Sequence, residues 1–331
     1  LHNRKHSFPT RRSSDLPHRG VRPASGPSTP ARRRLVAARP GAIAAALLAG
    51  VLVAGDATAQ SVPTSLRSLI SVSSVSADDA ARIERFVGFH ADRLAAGGPD
   101  AAESAARLLE PISTVSASRS FRGAFASVAV PRMRGIAADP PSPFAAANAI
   151  IVLTKIGTPA ALETLLGQAD PDRQEQWSLR LAAARGVEQL LEDDYNDGID
   201  ERTRLRTSRE LASLADREED PRVLRYVLLA MIECDAERLD DGTRTELHQR
   251  FASALETVAR RAANDASLAS ATGLAVAEAR NTFLELASLR QVQVAFSRAL
   301  APALVELVAA YESHWPSDGG VPASSRRRSA S

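Results

Sequence analysis

The chain has a single cysteine among 331 residues, 4% aromatic side chains, and lysine only at Lys5 and Lys155. One thiol excludes a disulfide-stapled domain and a cysteine-built zinc ribbon. So few aromatic residues argue against a sheet protein that depends on aromatic cross-strand pairs. No His-Glu-x-x-His, Gly-x-Ser-x-Gly, Gly-x-x-x-x-Gly-Lys or Gly-x-Gly-x-x-Gly pattern occurs. The common zinc-hydrolase, serine-hydrolase and nucleotide-loop chemistries therefore lack their carriers. Past residue 59 the histidines are His90, His248 and His314, too scattered for a local metal pair. Each reads as a surface or helix-end residue, and Cys234, beside Met231, as a small buried hydrophobe.

What is present is the composition of a globular protein, 44% apolar and 24% charged. The net charge of +2 hides an asymmetry. Residues 1–59 carry ten basic side chains against Asp15 and Asp56, which leaves 31 basic against 37 acidic in the remainder. The pI of 9.0 thus belongs to the leader, and nucleic acid is not an expected partner of the folded part. Of 41 basic residues, 39 are arginine, which with the heavy use of alanine reads as G+C-rich coding rather than selection for bidentate contacts.

Ser7-Phe8-Pro9-Thr10-Arg11-Arg12-Ser13-Ser14-Asp15-Leu16 resembles the conceptual translation of a sequencing-adapter oligonucleotide, so residues 1–31 are set aside as a disordered or artefactual leader. Then Arg32-Arg33-Arg34 and Arg39 precede an uncharged apolar run from Ala42 to Ala54, followed by Ala57-Thr58-Ala59. This is the layout of a secretory signal peptide over 32–59, and the small side chains of Ala57 and Ala59 place cleavage before Gln60. The run is shorter than the roughly 20 residues that span a bilayer. No later run reads as a membrane span, so the expected product is an exported chain, periplasmic or extracellular, with no transmembrane segment.

Between 60 and 315 the apolar period is helical, and Val and Ile never form alternating strand runs. The expected fold is all-α with no sheet. Ser76 caps a helix to about Ala96; Asp100 opens one to about Leu109, before Pro111; another from Ser118 is expected to stop at Pro131. Ser142-Pro143, Thr158-Pro159, Asp170-Pro171 and Asp220-Pro221 each pair a cap with proline at the first helical position. Such recurrence before short amphipathic helices is a repeat signature. Further on come a helix from Thr243 to about Ala263, a weaker region through Gly273, and a last helix that Pro302 should kink or split. Residues 316–331, with Arg326-Arg327-Arg328, read as a disordered tail.

Ala147 through Leu166, with Ile156-Gly157-Thr158-Pro159 at its centre and Asp170-Pro171-Asp172 after it, resembles a HEAT-type repeat, closest to the short units of phycobilin lyases. In that family the Ile-Gly-x-Pro element turns between two antiparallel helices and Asp-Pro opens the next unit. The resemblance covers about 142–235 and implies an irregular α-α superhelix. It implies no lyase activity, because the motif is one of packing. Stacked units leave a groove for a partner.

Two clusters are candidate sites. Glu192-Asp193-Asp194-Tyr195-Asn196-Asp197-Gly198 concentrates carboxylates as calcium loops do, with Asp193 and Asp197 as candidate ligands. Tyr195 and Arg204 stand where ligands are needed, so a turn with Asp200 capping the next helix is the competing reading. Arg202, Arg206 and Arg209 share one helix face, with Arg204 to the side, and suit a carboxylate-rich or phosphorylated ligand. The alternative there is a solvated face paired with Glu201, Glu210, Glu218 and Glu219. The expected function is a non-catalytic exported scaffold that binds a protein or envelope component, without cofactor. The alternatives are a polysaccharide hydrolase using a carboxylate pair among Glu192, Asp193, Asp194 and Asp197, and a calcium-dependent structural module.

Overall fold

The computed structural model describes residues 64–192 and 198–314. After a single helical turn at Thr64–Arg67 come eleven helices: α1 (Ala77–Ala95), α2 (Ala101–Ile112), α3 (Arg119–Ala138), α4 (Pro143–Ile156), α5 (Pro159–Ala169), α6 (Trp177–Glu192), α7 (Glu201–Arg217), α8 (Pro221–Ile232), α9 (Asp241–Ala262), α10 (Ala266–Glu285) and α11 (Arg290–His314). The described residues contain no strand, as the missing period-two pattern requires.

Most of the helix starts have a local cause. The side chains of Ser76, Ser118, Ser142, Thr158, Asp200, Asp220 and Asp240 each accept a backbone N–H of the first turn they precede, which satisfies donors that no helical carbonyl can reach. Ser76 and Asp79 form a reciprocal capping box. Gly157 ends α4 with a φ of 67°, a left-handed conformation that costs glycine nothing.

Packing runs in two series. α1, α3, α5, α7, α9 and α11 each touch the next of their set, as do α2, α4, α6, α8 and α10. The pairs α1/α2, α3/α4, α5/α6, α7/α8 and α9/α10 join one series to the other. This is a two-layer helical array whose single core runs from Leu66 to Ala310. Every internal helix buries its stripe on the neighbours before and after it, so no pair has a core of its own.

The structure departs from the sequence expectations at the prolines. α3 continues through Pro131 and α11 is not split at Pro302, because both rings sit on the exposed side while Val130, Met133, Phe296 and Ala303 bury the inner side of these helices. Burial on both flanks outweighs a lost backbone hydrogen bond. Pro111 lies in the last turn of α2. Gly273 falls inside α10 and does not weaken it into a break. Asp170-Pro171 does not open α6 directly; the Asp170 carbonyl accepts the N–H groups of Arg173 and Gln174, and the helix begins at Trp177. α4 and α5 pack less extensively than α3/α4 or α5/α6, so the Gly157 turn lies between close pairs and Asp170-Pro171 within one. By length and composition alone, α11 is long and apolar enough to cross a membrane.

Among the described glycines, Gly186 of α6 has the tightest surroundings: a Cβ there would collide with Thr154 Oγ1 of α4 and stand 3.4 Å from Leu165 of α5. Helix propensity favours Gly→Ala by about 1 kcal/mol, while forced overpacking costs about 1–3 kcal/mol. Thr154 is buried and β-branched, so it cannot swing away cheaply. Gly186→Ala is expected to lower the midpoint of thermal unfolding by several degrees. Thr154→Ala should recover most of that loss in the double variant, as read by circular dichroism.

Candidate functional site

α7 carries the arginine row. Asp200 caps it, accepting the Thr203 N–H at 2.7 Å, and hydrogen bonding from the Thr203 side chain and then from that N–H, helped by Arg202 and Arg206, holds its carboxyl below the usual range. Arg202, Arg206 and Arg209 are all exposed. Arg206 lies 3.8 Å from Glu210, and Arg209 reaches 3.5 Å to Glu246 of α9, which also accepts from Arg250 at 2.7 Å. The result is a polar ledge across α7 and α9 with Arg202 at its open end. Of the acidic partners expected for the row, Glu210 takes its place. Glu201 instead accepts from the Thr243 hydroxyl at 2.8 Å.

Glu218 is the larger correction, because it is 1% exposed rather than solvated. It receives the Arg180 guanidinium in a two-pronged contact at 2.7 and 3.0 Å, together with the N–H groups of Glu219 and Asp220. Arg180 also donates to the carbonyls of Gln174 and Glu175, which ties down the loop before α6. Arg204, one position from the row, is buried and points inward. It donates to the carbonyls of Glu233, Cys234 and Asp235 after α8 and of Leu191 in α6. Burial pushes its pKa down, and the neighbouring acids and Cys234 oppose that. Arg261 does the same for the end of α7, donating to the carbonyls of Ala215, Asp216 and Glu218.

Asp235 gathers a second buried set, accepting Arg244 at 2.7 Å and His248 at 3.2 Å. Burial disfavours its charge, but the hydrogen bonds of His248 and Arg244 outweigh it and hold the carboxyl below its usual range. His248 is therefore a core residue rather than a surface one, stacked 4.6 Å from the Phe296 ring. His314 closes α11 against the Ala262 carbonyl at 2.7 Å. Cys234 is buried, and burial pushes its thiol up to about 12, which suits packing and not redox chemistry.

A carboxylate cluster was not anticipated. Glu188 and Glu192 of α6, Glu233 after α8 and Glu278 of α10 act on one another along three successive helices of one series. Burial and then repulsion from Glu192, Glu188 and Glu278 raise Glu233 from 4.5 to about 7, with Arg204 opposing. Burial first, then Glu192, also raises Glu188. Glu188 and Glu192 are one helical turn apart, but Glu233 and Glu278 come 41 and 86 residues after Glu192, beyond any local pattern.

Asp193 and Asp197, like Ala57, Ala59 and Gln60, lie outside the described residues. Among those described, no group of three His, Cys, Asp or Glu side chains has a metal-holding arrangement. Searches with the chain return no matching family model, no matching curated protein and no matching solved structure.

The raised Glu233 fixes a sign. A carboxyl whose folded pKa exceeds its unfolded value binds its proton more tightly when folded, so stability falls as pH rises from about 4.5 to about 7. Above that window the folded state carries the whole penalty. Glu233→Gln should therefore stabilise the protein above pH 7 by about 1–2 kcal/mol after allowance for solvent screening, and leave stability at pH 4 nearly unchanged. Urea unfolding across that range measures it.

Proposed function

We propose that this chain is an exported, non-catalytic helical-repeat protein that binds a protein or envelope component through the exposed side of its array. The observation that carries this reading is the architecture: helices packed in two series present a long continuous surface, which is how stacked repeats serve binding. The Ile156-Gly157-Thr158-Pro159 turn and the cap-plus-proline starts at Ser142, Thr158 and Asp220 favour HEAT-like units over about 142–235. The ledge of Arg202, Arg206 and Arg209 supplies a place for an acidic or phosphorylated group. Arginine presents a planar fork that matches a carboxylate or phosphate in two-pronged fashion.

Export rests on the leader: a basic stretch at Arg32–Arg39, the apolar run to Ala54, and small residues at Ala57 and Ala59. When the chain is expressed in a bacterium, the product outside the cytoplasm is expected to begin at Gln60. Ala59→Arg should leave an unprocessed, longer form, as read by intact mass.

For binding, the exported chain should recover a stoichiometric partner from envelope or secreted fractions. The variant Arg202→Glu, Arg206→Glu, Arg209→Glu should lose at least tenfold in recovery while its unfolding midpoint stays within about two degrees, since exposed charges contribute little to stability. Undiminished recovery by that variant would remove the ledge from the binding surface.

A further inference from the structure

α11 is the last of the described helices, and no described element covers its outer side. Its inner side is buried through Val292, Phe296, Ala303 and Ala310, against α9 and α10. Its outer side presents Val294, Arg298, Ala301, Val305, Val308 and Glu312, all exposed, with Val305 at 69% and Val308 at 57%. These positions recur at alternating spacings of four and three residues, the heptad spacing of a helix that packs along another helix. At 3.6 residues per turn they fall in a wedge of about 80°, opposite the buried side. Leu304 and Ala309 border it, both exposed.

The charges at the two ends of this stripe choose the occupant. Arg298 and Glu312 have opposite signs and stand seven residues before and seven after Val305. Neither has an ion-pair partner among the described residues. We propose that the stripe is a homodimer interface: α11 of a second copy lies antiparallel on it, with Val305 at the two-fold axis and Arg298 of each copy facing Glu312 of the other. A parallel pair would set arginine against arginine and glutamate against glutamate, so the charge pattern selects the antiparallel one. An isologous contact of this kind closes on itself and stops at two copies. Ala301 and Ala309, at matching distances from the axis, let the backbones approach to the 8–10 Å usual for packed helices. The stripe from Val294 to Glu312 is about 27 Å long. A single helix pair of that length buries less than the roughly 800 Å² per partner of a standard interface. The dimer is therefore weak and its population depends on concentration.

Sedimentation velocity on the full chain from about 1 to about 200 μM tests this. The expected result is a monomer–dimer transition that Val305→Asp abolishes with helicity unchanged. Arg298→Glu alone and Glu312→Arg alone should each weaken the dimer at least tenfold. The double variant Arg298→Glu, Glu312→Arg should return it to within about threefold of the starting chain, because the charges are exchanged across the axis. A monomer at the highest concentration, a dimer that persists in Val305→Asp, or no recovery in the double variant overturns the proposal. So does a monomeric chain that floats with phospholipid vesicles through α11 and loses this with Val305→Asp, which would make a bilayer surface the occupant.

Discussion

In a stacked array the ends of inner helices are covered, and every helix leaves its last four carbonyl groups without an intrahelical partner. Left buried and unmatched, such a group costs about 1–3 kcal/mol. Arginine meets that need here. Arg204 serves the carbonyls after α8 and one in α6, Arg261 the end of α7, and Arg180 the loop before α6. Each guanidinium offers five N–H groups in a rigid fork and answers several carbonyls at once, which an ammonium on a flexible stem does less well. A cation at a helix C-terminus also lies at the negative end of the backbone dipoles. The arginine-rich composition is thus more than a coding bias at these three positions.

The same contacts position the exposed row. On α7 a residue two places from another points nearly the opposite way, so Arg204 turned inward obliges Arg202 and Arg206 to turn out. The buried arginine holds α7 against the ends of α6 and α8, and the ledge inherits that placement. Arg180 with Glu218 fixes the other end of α7, where the Glu218 carboxylate also takes the first N–H groups leading into α8. The exposed row stands on a frame of buried polar contacts.

Helix starts were legible because a cap is a local event, complete within four residues, as at Ser142 or Asp240. Helix continuation through Pro131 and Pro302 was not, because it depends on which side of the helix meets the core, and that is settled by helices elsewhere in the chain. Asp170-Pro171 looked like a start and is a turn, since the Arg180 contacts that stabilise it come from the helix beyond it. The row of Arg202, Arg206 and Arg209 was legible as shared spacing. The role of Arg204 was not, because its acceptors lie 13 and 29 to 31 residues away, nor was that of Glu218, 38 residues from its partner. The carboxylate cluster stayed hidden for the same reason: nothing near Glu233 announces Glu188 or Glu278.

The two ends of the array solve one problem differently. A repeat array needs polar outer faces on its terminal units, because no neighbour covers them. At the first end, α1 exposes Asp78, Glu84, Arg85 and Asp92, and its one large exposed apolar side chain, Phe89, has the Arg93 guanidinium 5.4 Å from its ring. That end is finished in polar groups. At the other, α11 exposes valines at 294, 305 and 308 and keeps only two charges on the same wedge. Exposed aliphatic side chains in a row leave apolar area in water that burial would stabilise by about 25 cal/mol per Å². As the last described helix, α11 is incomplete as a cap, and its two charges are placed where a copy of itself, reversed, would supply both the missing apolar surface and the matching charges.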